Sequence, residues 1–481
     1  MVFSSVVFVF YFLPVLLTVY LMVAGKWRNT LGNIWLLIAS LVFYAWGEAT
    51  YLDLLLGTVA LNYVAGLILV RYEGKPRRAV LAVGIAANLL LLGYFKYAGF
   101  SAGVVSSIVV AMGGKPLAFE APRLPLGISF FIFQSMSYLL DVHRKEAAVE
   151  RNPLYLTLYV TLFSQLVAGP ILRFADVADQ IRSRTHRLSE IARGASEFII
   201  GLAQKALVAN TMAAAADAVF AEQPQHLSAA AAWFGIIAYA LQIYFDFSGY
   251  SHMAIGLGRI CGFSFVDNFN FPYASQSVTE FWRRWHMTLS TWFRDYLYIP
   301  LGGNRLGTRR TAFNLFAVFF LCGLWHGAAW QFIVWGLFHG ALLSIERMGW
   351  GKRLERLPRF LRHSYTLMAV LIGWVFFRAD TLSYATRFLG TMFGVSMSGA
   401  YVHDFARFAR ADVVLVGIVA CLASSPFMMT SVESFRKKLE SASERPLWFD
   451  PVRALVVIPL LAFSLISISS GSLNPFIYFR F

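Results

Sequence analysis

The chain has 481 residues, of which 58% are hydrophobic, 16% aromatic and only 14% charged, against about 45–50% apolar and about 25% charged in soluble globular chains. The 41 Lys and Arg against 26 Asp and Glu leave a formal charge of +15, which in so apolar a chain reflects basic residues held in cytoplasmic loops and not a nucleic-acid surface. This excludes a soluble single domain and a disordered chain, and points to an all-α polytopic membrane protein.

In chain order, the N-terminal run MVFSSVVFVFYFLPVLLTVYLMVAG has no basic residue before it and no small-residue cleavage site, so it reads as a first membrane helix. Lys26 and Arg28 follow it, and the positive-inside rule then places the N-terminus in the periplasm. Segment 33–46 emerges at the acidic turn 48–53, and segment 55–70 returns to Arg71, Lys75, Arg77 and Arg78, so three successive loops alternate in sign. Further apolar segments are 79–95, 104–112, 125–140, 154–171, 197–220, 229–247, 311–327, 328–345, 365–377, 385–395, 412–429 and 452–468. At about 20 residues per span they give about eleven to thirteen membrane segments, with re-entrant and interfacial amphipathic helices among them. The longest polar stretches are 175–193, 347–363 and 432–450, and no repeat is visible, so one integral-membrane domain is expected: N-terminal helices over 1–120, a catalytic core over 121–346 and C-terminal helices over 347–481. Cys261, Cys322 and Cys421 lie far apart without metal-ligand spacing, and each reads as a small buried hydrophobe.

The segment 246–310 is too polar for lipid-facing helices yet dense in aromatics. Ser277 and Glu280 form a capping box, so a helix should start near Val278 and end before Pro300. Trp282, Trp285, Leu289, Trp292 and Tyr296 recur at helical spacing on one face, while Arg283, Arg284, His286, Ser290 and Arg294 occupy the remainder. One reading is a basic helix lying in the lipid interface against anionic lipid. The other is that His286, Ser290 and Arg294, at i, i+4 and i+8, line a protein cavity in which Arg283 and Arg284 hold a phosphorylated or carboxylated donor.

Two histidines interrupt the next apolar pair of segments, and intramembrane ionisable residues are functional candidates. His326 stands in Gly-Leu-Trp-His-Gly, where Gly327 allows close backbone approach and Trp325 can wall a pocket. His339 follows 13 residues later; on a continuous helix the two would point roughly 220° apart, so they are not read as a dyad. His339 reads as a structural residue bonded to a neighbouring helix. His186 and His363 lie in charged stretches and read as solvated, and His252 stays open.

At these residues the chain resembles the membrane-bound O-acyltransferases, and within them the subgroup that O-acetylates bacterial alginate. The resemblance is carried by YFKYAGF at 94–100, LPLGISFF at 124–131, AGPILRF at 168–174, YFDFSGYS at 244–251, NFNFPY at 268–273, TEFWRRWHMTLSTWFRDYLYIPLGGNR at 279–305, GLWHGA at 323–328 and the ending NPFIYFRF. It implies a metal-free relay that takes acetyl groups from cytoplasmic acetyl-CoA across the inner membrane to a periplasmic acetyltransferase partner, or directly to a secreted exopolysaccharide, with no nucleic acid involved. It also implies His326 as the essential histidine, in Trp-His-Gly, and His286 as the second, in Arg-Trp-His. His252 in Ser-His-Met and Phe271 before Pro272 depart from the alginate pattern, and leave the acceptor open between alginate and cellulose.

Chemically, acetyl transfer to a hydroxyl needs a base, and imidazole with a pKa of about 6.5 suits it; a transient acetyl-histidine is the competing role for His326. Negative charge on the transferred carbonyl needs donors, for which Trp285, His286 and Asn304 are candidates. Arg283, Arg284, Arg305, Arg309 and Arg310 are candidates to dock the CoA phosphates, or, for the last three, ordinary loop anchors. A polysaccharide or lipid exporter would show an inverted repeat or paired broken helices, and the sequence shows neither. A noncatalytic scaffold would not need His326. With 305–310 cytoplasmic, a helix from Thr311 would carry His326 roughly 22 Å into a core of about 30 Å.

Overall fold

The computed structural model describes residues 1–23, 28–167, 169–395, 403–427, 451–471 and 476–477. Lys26, the polar stretch 432–450 and most of the closing motif lie outside them. The described residues form helices and loops, with one isolated bridge between Leu227 and His403 and no strand. The chain divides into two compact units, one of residues 1–195 with 254–266, the other of 196–253 with 267–481.

The first unit contains α1 (Leu13–Met22), α2 (Arg28–Glu48), α3 (Leu52–Leu69), α4 (Gly74–Ala111), α5 (Ile128–Arg144), α6 (Pro153–Thr161), α7 (Phe163–Leu166) and α8 (Phe174–Arg182). Segments 79–95 and 104–112 turn out to be one helix of 38 residues. Gly99 and Gly103 between them cost only about 1 kcal/mol each, too little to end a helix without a cap or proline. Segment 154–171 is instead broken, because Leu162 leaves helical geometry with ψ 115° between α6 and α7. Asn62 and Asn88 exchange amide hydrogen bonds of 3.1 and 2.8 Å between α3 and α4, which satisfies both buried side chains. His186, expected to be solvated, has its Nε2 2.9 Å from the Tyr20 hydroxyl.

Two long helices are shared by the units: α9 (Leu188–Ala203), which continues through a π-turn at Gln204–Ala209 into α10 (Asn210–Phe220), and α11 (Ala229–Ile260). The second unit goes on with α12 (Val278–Arg284), α13 (Met287–Phe293), α14 (Thr308–His326), α15 (Trp330–Ile345), α16 (Gly351–Leu354), α17 (Arg359–Arg378), α18 (Leu382–Met392), α19 (Ala411–Ala423) and α20 (Pro451–Ser469). Within it the π-turn presents Lys205 to Asp246 of α11 at 2.6 Å, both side chains buried inside apolar spans. The Asp246 carboxylate also accepts the Ile477 backbone N–H at 2.8 Å. Cys261 and Cys322 are buried as expected, whereas Cys421 is exposed.

Among the described residues five helical runs are long and apolar enough to cross a membrane: Asn29–Leu69, Gly74–Ala111, Leu188–Phe220, Ala229–Ile260 and Arg359–Arg378. Phe8–Met22, Ala411–Ala423 and Arg453–Ser469 are apolar but shorter. Several of the eleven to thirteen segments read from hydropathy are therefore merged, broken or short, which is what a protein with irregular backbone buried at membrane depth requires.

Candidate active site

The site lies in the second unit and starts from a broken helix. Ser277 caps α12 by accepting the Glu280 N–H at 3.0 Å, and Glu280 returns to the Gln276 N–H at 2.8 Å, so the capping box forms nearly as read. Glu346, at the end of α15, adds a second cap: its carboxylate accepts the backbone N–H groups of Val278 and Thr279 at 2.8 Å each and the Thr279 hydroxyl at 2.5 Å. The helix does not run on to Pro300. It breaks at Trp285 and His286, where His286 takes the left-handed conformation with φ 43° and ψ 57° before α13 begins.

The break overturns two expectations. His286, Ser290 and Arg294 do not form one polar line: His286 is 1% exposed, Ser290 donates to the Trp282 carbonyl at 3.1 Å, and Arg294 turns to Asp295 at 2.7 Å. Nor does the apolar face of the segment meet lipid, since Trp282, Trp285, Leu289, Trp292 and Tyr296 are all buried in protein. The Trp285 ring stacks on Phe281 at 5.6 Å and meets Trp374 at 4.9 Å, deep in an aromatic core.

His326 is the last residue of α14, and the chain turns at Gly327 into α15. The hairpin closes on glycine: a Cβ on Gly336 would stand 2.3 Å from the Phe319 carbonyl oxygen, and one on Gly323 2.4 Å from that of Phe332. That proximity brings Trp335 against His326, ring centres 4.9 Å apart, with Trp325 at 4.9 Å and Phe377 at 5.1 Å completing the wall. His339 lies 5.2 Å from the same indole, ring centre to ring centre. The two histidines therefore sit on separate antiparallel helices and converge on Trp335, where a continuous helix would have parted them. His339 is indeed bonded to a neighbour, though as an acceptor: its Nδ1 takes the Trp282 indole N–H at 3.3 Å. Gly373 of α17 leaves room for its Nε2, where a Cβ would approach to 2.6 Å.

A cavity of about 1370 Å³ opens at the end of the hairpin remote from His326. Arg283, Arg294, Arg347, Lys352 and Arg362 line it together with Glu280, Glu346 and Glu355, five cations against three carboxylates. It ends inward at Trp282, Phe319 and Cys322; the Trp282 and Phe319 rings meet His339 at 5.1 and 6.5 Å between centres, and His326 lies on the Trp335 indole that His339 also touches. Of the proposed donor-binding residues Arg283 and Asn304 line it. Arg284 instead pairs with Glu280 at 2.9 Å, Trp285 belongs to the aromatic core, and Arg305, Arg309 and Arg310 are exposed outside the lining. At the tip of the hairpin a small cavity of about 160 Å³ is bounded by Gln331, Phe332, Phe377, Arg378 and Asp380. His252 reaches Glu197 at 3.5 Å and His363 the Ser275 carbonyl at 3.2 Å, both away from this centre.

Sequence reasoning missed Trp335, Glu346 and the cations from 347 to 362, because each is brought in by the hairpin and not by proximity in the chain. It also missed Lys205 and Asp246, although a lysine and an aspartate inside apolar spans are a signal of that kind.

The second unit thus carries an aromatic-walled histidine cluster beside a cationic cavity, in a chain whose long apolar helices are those of a multi-pass membrane protein. The membrane-bound O-acyltransferase family model matches residues 126–377, and the chain belongs to that family and is an O-acyltransferase. It is 40% identical over 495 residues, covering all of both chains, to the probable alginate O-acetylase AlgI of Pseudomonas putida. It is 34% identical over 525 residues to the peptidoglycan O-acetyltransferase of Helicobacter pylori, covering all of this chain and 98% of that one. To the teichoic acid D-alanyltransferase of Bacillus subtilis it is 28% identical over 330 residues, 60% of this chain and 80% of that one.

Proposed function

We propose that the protein takes acetyl groups from acetyl-CoA on the cytoplasmic side of the bacterial inner membrane and passes them, through a periplasmic acetyltransferase partner or directly, to hydroxyls of a secreted exopolysaccharide, alginate or cellulose. The observation that carries this is the cationic cavity ending against the Trp282 and Phe319 rings that meet His339, with His326 on the Trp335 indole next to it. Relatives named for alginate and peptidoglycan O-acetylation support the acetyl group and the glycan acceptor.

The residues fit such a donor. At about 1370 Å³ the cavity exceeds the roughly 300–1000 Å³ of ordinary small-molecule pockets. Arg283, Arg294, Arg347, Lys352 and Arg362 supply the cations that phosphates demand. When bound, the donor supplies an acetyl thioester at the end of a long flexible arm. Trp282 and Phe319 form the wall that the arm must pass. The imidazole of His326 takes the proton of the attacking hydroxyl and returns it to the departing sulfur, in a setting closed to water by Trp325, Trp335 and Phe377. The buried indole N–H of Trp335, bonded to no described residue, is a donor for the carbonyl oxygen as it gains negative charge. The basic cluster of 347–362 at the cavity, with Arg71 to Arg78, supports a cytoplasmic mouth and a periplasmic N-terminus by the positive-inside rule.

His326→Ala should abolish polymer acetylation with membrane insertion and protein level near normal, His286→Ala should be strongly impaired, and His339→Ala less so. Wild-type acetyl content in the polymer of the His326 variant would remove that residue from the chemistry, and the reverse order of the other two would show that the wrong pair was chosen.

A further inference from the structure

We infer that Asn268 is a positioning residue that fixes His286 in its Nδ1–H tautomer, so that Nε2 is presented as a proton acceptor. The inference rests on the reading of His286 as part of the catalytic centre and deepens it. The backbone N–H of Thr288 points at the Asn268 side chain at 3.3 Å, and only the carboxamide oxygen can receive it. A flipped amide would set its own N–H groups against that donor. The opposite end agrees, since Nδ2 of Asn268 donates to the Ser251 hydroxyl at 3.1 Å.

With its orientation set, Oδ1 of Asn268 lies 3.0 Å from Nδ1 of His286 and can only accept. Nδ1 therefore carries the proton, and in the neutral ring Nε2 is left with its lone pair. That nitrogen is buried and has no hydrogen-bond partner among the described residues. A buried acceptor of this kind is costly unless it is kept for a ligand or a proton. The ring is further held by the edge-on Phe247 at 4.6 Å.

The backbone explains why this pairing tolerates the left-handed turn at His286. Met287 N–H donates to the Asn268 carbonyl at 2.9 Å, Asn270 N–H to the Arg284 carbonyl at 2.9 Å, and the Arg284 guanidinium to the Asn270 carbonyl at 3.1 Å. Residues 268–270 thus form a clamp on both sides of the break, and Asn268 holds His286 by side chain and main chain together. A proton arriving at Nε2 makes an imidazolium whose Nδ1–H is already bonded to an oxygen, so nothing else need move. The same tautomer takes neutral His286 off the set of oxyanion donors expected from sequence, and leaves that task to a group such as the Trp335 indole.

The test is ¹⁵N NMR of the full-length protein in lipid, with histidine labelled in the ring nitrogens and the His286 signals assigned by their loss in His286→Ala. The expected wild-type spectrum has a protonated Nδ1 and an unprotonated Nε2 at His286. Asn268→Ala should release the ring to the Nε2–H form, and Asn268→Asp, which keeps an accepting oxygen, should hold the wild-type form. In parallel, Asn268→Ala should lower kcat by about 100-fold, the lower end of what positioned proton transfer supplies, with KM for the donor nearly unchanged, and Asn268→Asp should recover most of the loss. An Nε2–H ring at His286 in the wild type, or an unaltered tautomer in Asn268→Ala, would overturn the proposal, and the wild-type spectrum decides even where a variant does not fold. Full acetylation by His286→Ala beside the expected tautomer would sink the catalytic reading of His286 and leave the tautomer assignment standing.

Discussion

Gly336→Ala should disable the enzyme without unfolding it. The added methyl would stand 2.3 Å from the Phe319 carbonyl oxygen and 3.1 Å from the Gly323 Cα, both backbone atoms of α14. Ordinary contact begins at 3.4 Å, so the two helices must part by about 1 Å. Overpacking of this kind costs about 1–3 kcal/mol. The larger effect falls on chemistry, because His326 rides on the end of α14 and Trp335 sits one residue before the substituted position. A displacement of about 1 Å at a reacting group costs roughly 100-fold in rate. Gly340→Ala, one turn further along, meets the Phe316 Cα and Phe319 Cβ only at 3.2 Å and should be mild, and Gly57→Ala, with nothing within 4 Å, should be neutral. The assay is polymer acetyl content in intact cells, paired with thermal melting of the purified protein in detergent. Wild-type acetylation and melting in Gly336→Ala, or a loss in Gly340→Ala equal to it, would refute the claim that backbone contact across this hairpin sets the geometry of the centre.

Two further predictions concern the scaffold. Lys205→Met should destabilise the protein by about 3–5 kcal/mol, since it leaves the Asp246 carboxylate buried against an apolar neighbour, while the double change Lys205→Met with Asp246→Leu should regain much of the loss; melting of the wild type and the two variants checks this, and an unaltered single variant would contradict it. In a background without the three native cysteines, a cysteine at Lys75 should resist a membrane-impermeant thiol reagent applied from the periplasm and one at the exposed Ala49, beside the buried Glu48, should react, and ready labelling at position 75 would reverse the orientation.

The helical class, the capped start of α12, and the resemblance carried by TEFWRRWH and GLWHGA were all legible, because each depends on residues close in the chain. The break at His286 was not. Its sequence offers neither Gly nor Pro, and the left-handed turn is held by Asn268 and Asn270, 18 and 16 residues upstream in the chain and unconnected to it by any periodicity. The same holds for the meeting of His326 and His339. Counting 100° per residue assumes one helix, whereas Gly327 ends the first and the glycines of the hairpin fold the second back upon it. The apolar residues at 282–296 were legible, but whether lipid or protein covers them was not, since a tryptophan edge looks alike in either setting and the single helix assumed for them is broken at His286. The cationic cavity drew on Arg283 and Asn304, which sequence found, and on cations beyond residue 345, which only the return of α15 brings near.

The ring cluster around His326 has a consequence for fidelity. Trp325, Trp335 and Phe377 present edges and faces to the imidazole, and apart from the two indole N–H groups their side chains carry no polar atom at which a water molecule would be held. An activated acyl group carried into such a lining meets few competitors for its carbonyl carbon, because water must first be ordered before it can attack. An acyl donor reacting at His326 should therefore be hydrolysed slowly when no acceptor is present, compared with its rate of transfer.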